Sequence, residues 1–157
     1  MLRPKSQLES VFQLSPEWFR SRGLSALLLD LDNTLVPYGE QGEPSKGLEE
    51  WIHGLQAAGL KAYLVSNAKP SRVRYWSERL GLPGLGLAAK PWLGFRRALR
   101  RWNLNPSQVA VIGDQLFTDV LGGNLVGAHT VLVAPLSKHE LGYTRLVRRL
   151  ERWVLGR

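Results

Sequence analysis

Five short apolar runs, each followed by a segment with helical spacing, constrain the fold of this chain more than any other feature. The runs are Ala26 to Leu29, Ala62 to Val65, Leu85 to Ala89, Val109 to Ile112 and Thr130 to Val133. They are continuous instead of alternating, the pattern of strands buried on both faces of a parallel sheet. Between them, Leu48, Trp51, Ile52 and Leu55 share one helix face, as do Val73, Trp76 and Leu80, then Trp92, Phe95, Leu99 and Trp102. Gly59 and Gly81 stand where the first two of these helices should stop, and Pro70 where the second should start. Thr118 to Val126 reads as a further helix with two awkward glycines, and Leu146, Leu150, Trp153 and Val154 mark the inner face of a terminal one. The expectation is a Rossmann-like, doubly wound α/β fold: a parallel sheet of about five strands with helices on both faces. At 157 residues it should form one domain, 1–157, with residues 1–23 an extension packed on it and Ser15-Pro16 opening a short helix that ends at Gly23.

Four of the runs lead directly into polar groups: LLLD at Asp30, YLVSN at Ser66 and Asn67, LAAK at Lys90 and VIGD at Asp114. Ligands of open parallel sheets bind outside the carboxyl ends of the strands, so these groups should converge. All four aspartates of the chain, Asp30, Asp32, Asp114 and Asp119, fall in two tight clusters. Two strand-end carboxylates can hold Mg²⁺ through oxygen, while a lysine and a hydroxyl/amide pair can donate to phosphoryl oxygens. That combination suits phosphoryl transfer. With no cysteine, thiolate nucleophiles, disulfides and cysteine zinc sites are excluded. His53, His129 and His139 lack metal or triad spacing, and most of the six tryptophans sit at core-facing helical positions.

The strings DLDNT (Asp30 to Thr34), SN (Ser66), AKP (Lys90) and GDQLFTD (Asp114 to Asp119) resemble, in order and spacing, the four motifs of the haloacid dehalogenase superfamily. The SPEWF segment, the GDQLFTDVLGGN string and the arginine-rich tail extend the likeness over the whole chain, toward the subfamily IIIA phosphatases, which include phosphatidylglycerophosphate phosphatases. The resemblance implies that Asp30 is a nucleophile forming an aspartyl-phosphate and that Asp32 is the acid and base. It implies that Ser66, with the Asn67 backbone, and Lys90 bind the phosphoryl group. Asp30, Asp114 and the Asp32 carbonyl would ligate Mg²⁺. Asp119 would support the site by reaching the metal through water or by orienting Lys90, and Thr34 would shape the turn. Asp32 disfavours dehalogenation, whose leaving halide needs no acid. Leu125 departs from the basic residue that members tend to carry after GGN.

The gaps from Asp30 to Ser66 and from Ser66 to Lys90 are too short for a cap domain, so an open site is expected, suited to lipid head groups, nucleic acids or proteins. A phosphomutase would need such a cap to keep its intermediate from water. The net charge of +8 equals the excess carried by residues 69–101 alone. Arg96, Arg97, Arg100 and Arg101 form one stripe and Arg145, Arg148, Arg149 and Arg152 another. Solvated helix faces explain each stripe separately; docking to an anionic membrane explains both together. Nucleic acid is disfavoured for want of a recognition motif. No run approaches the roughly 18 apolar residues of a membrane span, and no apolar segment follows the basic N-terminus. The expected location is cytoplasmic, peripheral to the inner face of the membrane. The leading reading is a Mg²⁺-dependent phosphatase acting on phosphatidylglycerophosphate. Its alternatives are a phosphatase of another nucleic-acid, protein or sugar phosphomonoester, or an arginine-rich adaptor with a vestigial site.

Overall fold

The structure is a computed structural model and describes residues 1–136, 149 and 151–156. Six strands, β1 (Ser6–Leu8), β2 (Ala26–Leu29), β3 (Lys61–Val65), β4 (Gly84–Leu85), β5 (Val109–Gly113) and β6 (His129–Val133), form one sheet in the order β1-β6-β5-β2-β3-β4. Every pairing is parallel. The helices are α1 (Pro16–Arg20), α2 (Lys46–Ala57), α3 (Pro70–Leu80), α4 (Gly94–Arg101) and α5 (Leu121–Val126).

The two faces of β2 explain why its run is continuous. Leu27 and Leu29 enter a core with Phe19 of α1, Ile52 of α2 and Trp76 of α3. Ala26 and Leu28 enter the opposite one with Phe95 and Ala98 of α4. Side chains alternate across a strand, so a strand covered on both faces must be apolar at every position. Ser15 and Ser45 accept the Trp18 and Leu48 backbone N–H groups and so cap α1 and α2, and Gly81, at φ 66°, ends α3. Among the described residues no domain is inserted between β2 and α2 or between β3 and β4, so none of them forms a cap domain over the carboxyl edge of the sheet.

Several expectations need correction. The sheet has six strands, because the N-terminal extension supplies β1, which pairs Ser6 with Val131 of β6. The run Leu85 to Ala89 is strand only at Leu85; Leu87 and Ala89 take φ of 44° and 59°, and Leu87 turns outward. Trp92 precedes α4 and is exposed instead of lying on its inner face. The helix at Thr118 starts as a wide π turn over Leu116–Val120 before α5. Its glycines are required by close approach, since a Cβ on Gly122 would lie 2.7 Å from the Phe95 ring and one on Gly123 2.5 Å from the Thr130 methyl. Residues 151–155 are helical, but Trp153 is exposed, while Val154 packs beside Leu116, Val120 and Leu132. His139, Arg145, Leu146, Arg148 and Leu150 lie outside the described residues.

Candidate active site

Parallel strands point their carboxyl ends at one edge, and there a cleft of about 630 Å³ is lined by Asp30, Asp32, Ser66, Asn67, Lys90 and their neighbours. Asp30 follows β2 and Asp114 follows β5; the two strands are paired, Leu29 opposite Ile112, so their terminal carboxylates are brought together. Asp119 arrives by a different route. The π turn Leu116–Val120 folds it back over β5, where a Cβ on Gly113 would overlap its carboxylate. Asp119 Oδ2 accepts the Gln115 N–H at 3.2 Å.

Carboxylate oxygens of Asp30, Asp114 and Asp119 lie within 4.8 Å of one another. Lys90 binds two of them, with Nζ 2.9 Å from Asp30 Oδ1 and 2.6 Å from Asp119 Oδ1. The Thr34 hydroxyl, expected only to shape its turn, stands 3.4 Å from Asp30 and 3.3 Å from Asp114, between the two carboxylates. Burial alone would lower the pKa of Lys90, but the carboxylates of Asp119 and Asp30 outweigh it and raise it above the ordinary lysine value. Burial, and then the negative charge of Asp30, push the Asp119 carboxyl up to about 6 against the pull of Lys90. One ammonium among three carboxylates leaves an excess of negative charge held on hard oxygen donors. That donor set fits a divalent cation such as Mg²⁺.

Asp32 faces the cleft from the other side. Arg72 of α3 holds it through both oxygens, Nη2 at 2.6 Å from Oδ1 and Nε at 3.2 Å from Oδ2, and the Gly39 N–H adds a third bond at 3.2 Å. The same guanidinium donates to the Glu40 carbonyl at 2.7 Å, fastening the loop after β2 to α3. Ser66 lines the cleft; its Oγ accepts the Ala68 N–H at 3.0 Å, leaving its own proton to donate. The Asn67 side chain clamps the Lys90 backbone, Oδ1 accepting its N–H at 2.9 Å and Nδ2 donating to its carbonyl at 3.4 Å. It thereby fixes the loop that delivers Lys90.

Sequence reasoning missed Arg72, Gln115 and Thr118 in the cleft wall and Glu151 behind it. Glu151 Oε1 accepts the N–H groups of Leu116 and Phe117, at 2.6 and 3.3 Å, and so holds the start of the turn that carries Asp119. No local signal marks Glu151, which sits in an arginine-rich segment far along the chain. Arg72 is likewise unmarked locally, being one of three arginines in Pro70–Leu80.

A family model described as HAD-hydrolase-like matches residues 88–135, the stretch that holds Lys90, Asp114 and Asp119. The chain is similar to a Bacillus subtilis (strain 168) protein named "Probable phosphatase YqeG", with 39% identity over 98% of this chain and 89% of that one. It is also similar to phosphatidylglycerophosphate phosphatase 1, chloroplastic/mitochondrial, of Arabidopsis thaliana, at 28% identity over 98% of this chain and 47% of the relative. Among solved structures, the 3-deoxy-D-manno-octulosonate 8-phosphate phosphatase of Yersinia pestis superposes with a TM-score of 0.54 at 20% identity. That match covers 92% of this chain and 84% of the other and is a likeness of fold.

Proposed function

The chain belongs to the haloacid dehalogenase superfamily and is a phosphatase of it, and on that premise we propose that it hydrolyses phosphatidylglycerophosphate through an aspartyl-phosphate on Asp30. Residues 1–157 act as one hydrolase unit, peripheral to the inner face of a membrane. The observation that carries the reading is the convergence of Asp30, Asp114 and Asp119 around Lys90 at the open carboxyl edge of the sheet. Asp30 and Asp114, with the Asp32 carbonyl and Asp119 beside them, would hold Mg²⁺, which when bound offsets the carboxylate charge that an anionic substrate would otherwise meet.

In the first step an Asp30 oxygen forms a bond to phosphorus as the bond to the leaving oxygen breaks. Asp32 gives that oxygen its proton. Lys90 and Ser66 donate to the phosphoryl oxygens, and Lys90 keeps its charge because two carboxylates hold it. In the second step Asp32 takes a proton from water, the water oxygen bonds to phosphorus, and inorganic phosphate leaves with Asp30 restored. Arg72 holds the Asp32 side chain at the cleft wall while it alternates between carboxyl and carboxylate.

The test is phosphate release from phosphatidylglycerophosphate in mixed micelles beside sugar phosphates and nucleotides. The lipid should show the highest kcat/KM, turnover should stop with chelator, and Asp30→Asn should remove it without lowering Tm. Asp32→Asn should slow substrates with poor leaving groups by about 10² to 10⁴ and an aryl phosphate much less. Residual turnover by Asp30→Asn would overturn the nucleophile, and a soluble phosphate outrunning the lipid would overturn the substrate.

A further inference from the structure

The loop between β4 and α4, residues 86–93, has two faces. Inward it delivers Lys90 to Asp30 and Asp119. Outward it presents Leu87, Trp92 and Leu93, which are 58%, 68% and 53% exposed. The backbone beneath them is anchored: the Leu87 N–H donates to the Ala68 carbonyl at 2.9 Å and Arg97 Nη1 to the Leu87 carbonyl at 3.1 Å. Asn67 grips both sides of Lys90. Scattered exposed leucines are ordinary, but three large apolar side chains on one anchored loop beside a polar cleft are not.

The rest of that edge has the same character. Tyr38, after β2, and Leu136, after β6, are also exposed, 50% and 47%. All strands run parallel, so the loops after β2, β4 and β6 share the edge on which the cleft opens. Beside the apolar loop, Arg96 and Arg97 stand exposed in the first turn of α4, and residues 86–101 contain no acidic side chain. Tryptophan and leucine flanked by arginine match the headgroup layer of an anionic bilayer, where the ring and aliphatic groups enter the interface and the guanidinium groups meet lipid phosphates. This acid-free stretch, residues 86–101, has the charge complementary to that surface.

We propose that residues 87–93 are a membrane-insertion loop, in which Leu87, Trp92 and Leu93 enter an anionic lipid interface and Arg96 and Arg97 hold its head groups. The loop that positions Lys90 is then the one that touches the bilayer, so a lipid phosphomonoester meets the cleft without leaving its leaflet. The inference rests on the phosphatase reading of the cleft for its purpose, while the binding it predicts is independent of turnover.

The test uses the full chain carrying Asp30→Asn, floated with vesicles of equal phosphatidylglycerol and phosphatidylcholine, and with phosphatidylcholine alone. Flotation is expected with the anionic vesicles. The added triple change Leu87→Gln, Trp92→Gln and Leu93→Gln should reduce the bound fraction at least tenfold. In the active chain the same triple change should leave Mg²⁺-dependent turnover of p-nitrophenyl phosphate within twofold, which also reports an intact fold. Brominated lipid in the anionic vesicles should quench tryptophan emission, and Trp92→Phe alone should remove most of that quenching. A triple variant that floats as well as its parent, a parent that ignores anionic vesicles, or quenching unchanged by Trp92→Phe would each overturn the loop. Absent p-nitrophenyl phosphate turnover by the unmutated chain would instead overturn the phosphatase reading and leave the flotation result to stand on its own.

Discussion

Asp119 carries the least comfortable charge in the site, and its titration gives a test of the proposed cation centre. Its carboxyl is pushed up to about 6 from an ordinary 3.8, by burial first and Asp30 second, so between those values the folded chain binds a proton that the unfolded chain releases. The stabilising contribution is therefore complete below about pH 4 and is lost as pH rises through about 6. Lys90, raised, stays charged throughout this window and adds no slope. A divalent cation competes with the proton for the same oxygens. The gain in Tm on adding Mg²⁺ should accordingly be large at pH 7.5 and small at pH 5, measured by thermal unfolding with and without the ion. Equal gains at the two pH values would remove Asp119 from the centre. Asp30 and Asp114 were legible because each follows a short apolar run, and Asp32 and Asp119 because they cluster with them, whereas Arg72 and Glu151 were not. Arg72 grips Asp32 from 40 residues away and Glu151 holds Leu116 from 35, and nothing local announces a pairing that only the folded chain creates.

Among elements, strands and helices with a buried face were legible and those without one were not. β1 has three residues, none of them fully buried, and it is a strand only because β6 offers it a free edge. The end of β4 was overextended because Leu87 and Ala88 give their N–H groups to the Ala68 and Ser66 carbonyls, contacts that a local apolar pattern cannot reveal. The glycines of α5 are the opposite case, visible as anomalies in a helical segment and explained by packing. Two identical substitutions should therefore differ in sign. Gly123→Ala would place a methyl 2.5 Å from the Thr130 methyl and 3.0 Å from Val111 Cβ, an overpacking that costs about 1 to 3 kcal/mol. Gly54→Ala adds its methyl to open space on α2 and should stabilise by about 0.5 to 1 kcal/mol. Thermal unfolding should show Tm falling by roughly 2 to 4 °C per kcal/mol in the first variant and rising in the second. A Gly123→Ala protein as stable as the parent would mean that the contact of α5 with β5 and β6 is looser than these distances require.

At the scale of the whole molecule, the question is which of the basic residues are available to a partner. Part of the excess carried by residues 69–101 is used internally: Arg72 on Asp32, Arg79 stacked 3.4 Å over the Tyr75 ring, and Lys90 among the carboxylates. Arg96, Arg97, Arg100 and Arg101 remain exposed, but the direction of α4 makes them unequal. The helix starts at the carboxyl edge beside Lys90, where a Cβ on Gly94 would sit 2.7 Å from Lys90 Cγ, and runs back toward the start of β5. Four residues along a helix axis is about 6 Å, close to the Debye length of about 8 Å at physiological salt. A membrane facing the cleft therefore feels the second pair at roughly half the strength of the first. At about 1 kcal/mol for each basic residue near an anionic surface, replacing Arg96 and Arg97 by Gln should weaken vesicle binding about thirtyfold. Replacing Arg100 and Arg101 should weaken it only about fivefold on the same scale. Both losses should fade toward 1 M salt, where the Debye length is about 3 Å. Equal losses from the two pairs, or losses indifferent to salt, would mean that the carboxyl edge does not face the bilayer.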